Sequence, residues 1–179
     1  MARVRQKLTD NEATLLALVA RGEPITAYQI SKIYEQSPVS NFNTSTGKIY
    51  PIIHRLKDAG HLKARSVRGD ARGTSQLETT AKGKEALRDW VKEVRPADLL
   101  PEDTLRTKVQ SFEILSRDER IELIAKLKVE LLEKLRNVEL YGREKWVPYQ
   151  ELVQENAVRT IRSRMDWLDM VLSQVVQDK

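Results

Sequence analysis

A single stretch of this chain, residues 45–83, carries a helical pattern followed by two strand-like runs. In its first part, apolar residues recur at spacings of three and four, which places them on one side of a helix: Ile49, Ile52, Ile53 and Leu56. Gly60 is expected to end this helix, because glycine adopts the left-handed C-terminal conformation at little cost. The basic and polar residues of the segment are left for the other side.

Two short strand-like runs, residues 62–67 and 74–79, follow the helix. The turn between them begins with Arg68 and Gly69 and ends with Arg72 and Gly73, so it is basic and bracketed by glycine. A helix followed by a two-stranded hairpin with arginines at its tip is the pattern of a winged helix-turn-helix. This fold class points to DNA as a partner.

The composition excludes several other classes of protein. The 179 residues suit one or two small domains, and 40% of them are hydrophobic, which is enough to build a core. The absence of cysteine excludes a disulfide framework and a thiolate metal site. No apolar run reaches the roughly 18 residues of a membrane span, and no signal peptide is evident. We expect a cytoplasmic, nucleoid-associated bacterial protein.

Positive charge is concentrated in the half that holds this pattern. Residues 1–94 contain 16 Lys and Arg against 10 Asp and Glu, whereas residues 95–179 contain 15 against 16. An excess of this size is compatible either with nucleic-acid binding or with a solvated basic surface. The charge therefore supports the motif and does not replace it.

Two further helices are expected before the motif. Thr9 and Glu12 form a capping box at the start of the first helix, and Gly22 and Pro24 stop it. The second helix is expected at about residues 26–36. These helices, together with the motif, complete a domain with its own core.

Proline inside the third helix needs an explanation. The ring of Pro51 clashes with the carbonyl four residues earlier, and that residue is Gly47, which has no side chain and allows local adjustment. After the strands, Thr80 is expected to cap a fourth helix that ends at about residue 94. Its apolar stripe is formed by Leu87, Val91 and Val94.

Pro96 disfavours helix in the residue before it, so we place a domain boundary there. Residues 1–95 are predicted to form a winged helix-turn-helix domain, and residues 96–179 a domain of antiparallel, coiled-coil-like helices. The fold class is therefore mainly α with a small β-hairpin wing. In the second domain we expect a helix at 102–115, a long helix capped by Ser116 and Glu119, and a last helix.

The long helix and the last helix carry apolar stripes wider than one helix pair can bury. A partner subunit is the natural place for the surplus, although packing on the first domain is an alternative. The residues predicted to form the dimer interface are Ile124, Leu127, Leu131, Leu135, Val138, Ile161, Leu168 and Leu172.

The whole pattern resembles the PadR family of bacterial transcriptional regulators. Residues 47–56, GKIYPIIHRL, followed by Gly60, are similar to the family's G-x-(I/L)-Y-P-x-L-x-R-L and glycine. Thr80 and Gly83 match its L-T-x-x-G. Leu77 stands where the family often has an aromatic residue.

Thr79 is a second departure, because the family often has a leucine there. The resemblance is close over about the first half of the chain, and the rest is similar in kind to the helical dimerisation region of longer members. It implies a homodimer that binds double-stranded DNA at a palindromic operator and represses, with release by a small effector of unknown identity.

Hydroxyls, amides and the helix dipole at the start of the recognition helix favour phosphate, and wing arginines are suited to the backbone or minor groove. The residues predicted to contact DNA are Tyr28, Lys32, Thr44, Ser45, Thr46, Lys48, Tyr50, Arg68 and Arg72. Alternatives remain for several of them: Tyr50 as a core tyrosine, the wing arginines as a solvated turn, and Arg55 as the partner of a carboxylate that holds the wing.

The inventory of reactive side chains argues against an enzyme. His54 and His61 lack metal-ligand spacing, and the glycines are scattered at turns. We expect no catalytic residue, no cofactor and no metal site. A protein-docking module built on a winged helix, or a regulator of the MarR type, remains an alternative. Trp90, Trp146, Tyr149 and Trp167 either line an effector pocket or belong to the core.

Overall fold

The computed structural model describes residues 7–39, 46–66, 75–141 and 148–177 of the chain. It divides into two compact units, Met1–Asp98 and Leu99–Lys179. Among the described residues, no helix combines the length and apolar character that crossing a membrane requires.

The first unit alternates helices with the short strands of a single sheet. Its described elements are α1 (Asp10–Gly22), β1 (Ile25–Thr26), α2 (Ala27–Gln36), α3 (Thr46–Asp58), β2 (Leu62–Ser66), β3 (Ser75–Thr79) and α4 (Ala81–Lys92). A short helix, α5 (Pro96–Leu99), lies where the two units join. The predicted order of helices and wing strands is confirmed.

Local capping fixes where the first helices begin. The Thr9 hydroxyl accepts from the amide of Glu12 at 3.3 Å, and the Thr9 amide donates to the Glu12 carboxylate at 3.0 Å, which confirms the predicted box. Thr26 and Gln29 form a second reciprocal box at the start of α2. Such caps satisfy amides that have no partner inside the helix.

The sheet has three antiparallel strands in the order β1-β3-β2. Strand β1 is absent from the sequence-based prediction, because a two-residue strand is too short to show a period of two. It pairs Ile25 with Leu77. The wing strands β2 and β3 are confirmed, and residues 67–74 between them lie outside the described part.

One apolar core holds this unit together. Ile30 and Leu56 are fully buried in it, and Leu87 of α4 packs against it. The prediction that Val91 and Val94 complete the α4 stripe is wrong, since both are exposed. Helix α4 ends at Lys92, so Val94 lies beyond its last turn.

The described elements of the second unit are all helical: α6 (Thr104–Gln110), a 3-10 turn (Phe112–Ile114), α7 (Arg117–Leu140) and α8 (Gln150–Gln177). The predicted single helix at 102–115 is wrong, because the chain is broken at Ser111. Asp103 caps α6 through the amide of Leu105 at 3.0 Å. The capping box of Ser116 and Glu119 is confirmed.

Helices α7 and α8 form an antiparallel pair. At one end the Gln154 side chain donates to the carbonyl of Val138 at 2.9 Å, and at the other Arg117 donates to the carbonyl of Val176 at 2.7 Å. Leu105 and Phe112 pack against the second end and close its core. The predicted antiparallel helical region is confirmed.

Candidate nucleic-acid interface

Helix α3 separates two chemically different faces. Its apolar face is fully packed into the core of the first unit by Ile49, Ile52, Ile53 and Leu56. Because successive residues of an α-helix are rotated by about 100°, Pro51 and His54 lie opposite that face, and both are exposed. The buried face packs the helix against the core, so the opposite face is presented to solvent.

Lys48 and Tyr50 lie on the flanks of this exposed face. Lys48 is exposed, and Tyr50 is 48% exposed. The alternative of a core tyrosine is therefore wrong for Tyr50. A half-exposed phenol offers an apolar ring and a hydroxyl that both donates and accepts.

Helix α2 contributes an aromatic residue and a cation one turn apart. Tyr28 is 67% exposed, and the Lys32 ammonium lies 5.9 Å from the centre of its ring. The same ammonium is 3.6 Å from the Glu35 carboxylate. Exposed contacts of this kind are worth less than about 1 kcal/mol, so Lys32 is free to exchange them for a phosphate.

Arg55 has a carboxylate partner, as the sequence allowed, but that partner does not hold the wing. Its Nε lies 2.9 Å from Glu12 Oε1, on the first turn of α1. Burial alone raises the pKa of the Glu12 carboxyl, but hydrogen bonds from Arg55 and Thr9 outweigh it and leave the pKa below its usual value. Glu12 thus joins the start of α1 to the last turns of α3.

The end of α3 is fastened by the start of α4. Gly60 adopts the left-handed conformation with φ 74°, which confirms its predicted role. The Thr80 hydroxyl donates to the Gly60 carbonyl at 2.7 Å, and Lys82 Nζ donates to the Ala59 carbonyl at 2.5 Å. A Cβ at Gly83 would overlap the carbonyl oxygen of His61, so only glycine permits this approach.

The buried threonine of β3 explains one departure from the family pattern. Thr79 donates to the Glu23 carboxylate through both its amide and its hydroxyl, each at 2.6 Å. Lys84 Nζ lies 3.0 Å from the other carboxylate oxygen. Burial raises the pKa of Glu23, but these hydrogen bonds lower it by more. The hydroxyl of Thr79 therefore has a hydrogen-bond partner at the position where the family pattern often has leucine.

The outer face of the wing is charged. Lys63 Nζ lies 2.8 Å from one oxygen of Glu78, and Arg65 Nε lies 3.6 Å from the other. The hydrogen bond from Lys63 lowers the pKa of the Glu78 carboxyl. Arg65 has the longer contact and its side chain is 66% exposed, so its guanidinium adds an exposed positive charge near the end of β2.

Several predicted DNA contacts cannot be placed. Thr44, Ser45, Arg68 and Arg72 lie outside the described residues, and Thr46 is described only as the first residue of α3. The predicted set of DNA contacts does not include His54 and Arg65, two exposed basic residues of α3 and β2. The helical period from Gly47 and the strand alternation from Lys63 are signals that point to them.

The predicted dimer residues divide into two groups. Ile124, Val138, Ile161 and Leu168 are buried within their own unit, so the structure assigns them to its core instead of to a surface. The remaining four are half-buried: Leu127, Leu131, Leu135 and Leu172. Different apolar residues of α7 and α8 are exposed, namely Val129, Leu132, Leu140, Leu152, Val153, Met170 and Val176.

The aromatic residues considered for an effector pocket do not all belong to the same unit. Trp90 belongs to α4 of the first unit, whereas Trp167 packs against the core of the second. Tyr149 is exposed, and Trp146 lies outside the described residues. Within the described ranges, no group of three or more His, Asp or Glu is placed to hold a metal ion.

The fold and this surface define a winged helix-turn-helix protein with a helical C-terminal region. Residues 15–89 match the family described as the transcriptional regulator PadR-like family. This match lies within the first unit and is to the same family that the motif resembles. No curated protein matches the chain in sequence.

Solved structures reproduce the fold along nearly the whole chain. Bacillus subtilis PadR in complex with operator DNA is 21% identical, with a TM-score of 0.77 over 95% of this chain and 99% of that one. The same protein in complex with p-coumaric acid is 21% identical in sequence, with a TM-score of 0.69 over 93% of this chain and 96% of that one. A PadR-like regulator from Bacillus cereus is 17% identical in sequence, with a TM-score of 0.74 over 97% of this chain and 99% of that one.

Proposed function

We propose that this chain is a dimeric repressor that binds a palindromic operator through its first unit and is released by a small effector. The observation that carries the proposal is the exposed face of α3, flanked by Lys48 and Tyr50 and accompanied by Tyr28 and Lys32 of α2. Such a face suits the major groove, where base edges are read, while lysines contact phosphate. The crystal structure of Bacillus subtilis PadR with operator DNA supports the assignment.

Residues 1–95 serve as the DNA-binding domain and residues 96–179 as the dimerisation domain. The exposed apolar residues of α7 and α8 support dimerisation, because a second copy would remove them from water. Thr44, Ser45, Thr46, Arg68 and Arg72 complete the proposed DNA contacts. In the sequence, Thr44 and Ser45 directly precede α3, Thr46 is its first residue, and Arg68 and Arg72 lie between β2 and β3.

The effector is proposed to be a small organic molecule. The complex of Bacillus subtilis PadR with p-coumaric acid supports this class of ligand. The chain acts as a regulator without catalysis of its own, in the cytoplasm and on the nucleoid.

A DNA-binding measurement tests the proposal. The full chain is titrated against labelled duplexes from the promoter region of its own gene, and against a sequence selected from random DNA, at several salt concentrations. Wild-type affinity should fall steeply with salt, because each phosphate contact releases counterions. Lys48→Ala should reduce the slope of log affinity against log salt by about 0.9.

Lys126→Ala is the matched control, since Lys126 is an exposed lysine of α7. It should leave both affinity and salt slope unchanged. Failure of the wild-type chain to bind any duplex at low salt would reject the proposal. Equal effects of the two substitutions would reject the role of Lys48.

A further inference from the structure

The last residues of the first unit are tied to its first helix by one arginine. Arg95 lies between α4 and α5, and its guanidinium forms an ion pair with Asp10 on the first turn of α1. The same group lies 3.1 Å from Asp98, and the Arg95 amide donates to that carboxylate at 2.8 Å. One side chain therefore joins α1 to the segment that leads out of the unit.

Trp90 adds a third contact to this cluster. The Arg95 guanidinium lies 5.2 Å from the centre of the Trp90 ring, and the indole N–H donates to Asp10 at 3.3 Å. The Arg95 side chain is only 24% exposed. A partly desolvated guanidinium that is held by two carboxylates and a ring is far less mobile than an exposed ion pair.

The helix that receives these contacts also holds the recognition helix. Two residues after Asp10, Glu12 pairs with Arg55 of α3 at 2.9 Å. Beside the cluster, Lys7 forms an ion pair with Glu93 at 2.5 Å. The start of α1 is thus bonded on one side to α3 and on the other to the chain that leaves the unit.

We propose that Arg95 is a positioning residue that fixes the direction in which the chain leaves the DNA-binding unit and so sets the half-site spacing that a dimer accepts. The inference rests on the proposed function, because it needs a dimer on a palindromic operator. Each base pair added between half-sites rotates one of them by about 35° and moves it by about 3.4 Å. A chain segment held in one direction resists this change in half-site spacing, whereas a segment that can reorient accommodates it.

Binding to a spacing series tests this role. The half-site is first selected from random DNA with the full chain. Duplexes are then made with two inverted half-sites at the preferred spacing and at one and two base pairs more or less, together with a single half-site. Affinities are measured for the wild type, Arg95→Met, Arg95→Lys and Asp98→Asn.

Arg88→Met is the matched control, because Arg88 is an exposed arginine of α4, the helix that precedes Arg95. We expect the wild type to lose at least about tenfold in affinity for one base pair of altered spacing, and Arg95→Met to lose less than about threefold. Single half-site affinity should agree within about twofold among all variants. Arg95→Lys should recover part of the discrimination, and Arg88→Met should retain all of it.

A purely structural role predicts a different result. If Arg95→Met weakens binding by the same factor at every spacing, or discriminates as sharply as the wild type, the inference is overturned. If Arg95→Met does not fold, Asp98→Asn decides, since it keeps the pair with Asp10 and should still relax the spacing requirement. A wild type that binds a single half-site but shows no spacing preference would instead reject the dimeric operator, and the inference with it.

Discussion

In the first unit, helices enclose a core together with a three-stranded sheet, whereas in the second unit two long helices share one seam. On α2 and α3 the first unit leaves charged and aromatic side chains outside, such as Lys48 and Tyr50. The second leaves aliphatic residues outside, such as Val129 and Met170. The difference shows that an apolar stripe on a helix predicts that the stripe is buried. It does not predict whether the same chain or another chain packs against it.

The largest effect is expected where the first unit brings two backbones together. Gly83→Ala places a methyl group against the His61 carbonyl, and backbone on one side must move. We expect the free energy of unfolding of the first unit to fall by about 4 kcal/mol or more, measured by urea denaturation with hydrogen exchange to resolve the units.

Gly22→Ala is the control, because a Cβ there meets only the end of the Ile25 side chain, at 3.3 Å. It should change stability by less than about 1 kcal/mol. Similar costs for the two substitutions would mean that the approach at Gly83 is not as tight as described.

The second unit offers a direct test of which apolar residues face inward. Leu168→Ala removes a fully buried side chain from the seam and should cost about 3 kcal/mol of unfolding free energy. Met170→Ala, two residues further along the same helix, removes a side chain that is 71% exposed and should cost less than about 0.5 kcal/mol.

Oligomeric state sharpens this comparison. Met170→Glu is expected to weaken the proposed dimer while the helices stay folded, which analytical ultracentrifugation and circular dichroism would measure. A dimer that is unaffected by Met170→Glu, Val129→Glu and their combination would place the interface elsewhere.

The smallest effect is a pH dependence that belongs to the first unit. Burial, and then the Lys82 cation, hold the pKa of the His61 imidazole below its usual 6.5. Below pH 6.5 the unfolded chain therefore binds more protons than the folded one, so stability present at neutral pH is lost on acidification. His61→Leu should therefore flatten the pH dependence of the urea-denaturation midpoint between pH 7.5 and 5.5.

Local signals in the sequence predict most of the first unit. The capping box at Thr9, the stripe of α3 and the glycine at 60 each determine their structure within a few residues, and each is confirmed. Strand β1 escapes such reasoning, because its two residues pair only once β3 is in place. The partner of Arg55 escapes it too, since Glu12 lies 43 residues away in the chain.

In the second unit, periodicity predicts the helices but not their neighbours. Ile124 and Leu168 belong to stripes that fit a dimer seam equally well, and only the fold shows that they cover each other's helices within one chain. The candidate site has the same limit. Spacing places Lys48 and Tyr50 on one helix, but it says nothing about what surrounds them.

The missing Cβ at position 83 also bears on how this chain can change through mutation. Every single-base change that replaces this glycine by another residue adds at least a methyl group, and the carbonyl of His61 leaves no room for one. Steric overlap alone therefore prevents substitution at this position, whichever operator the protein binds. The exposed face of α3 has no such steric constraint. Substitutions that change the DNA target can therefore accumulate there while the contact between Gly83 and His61 stays the same.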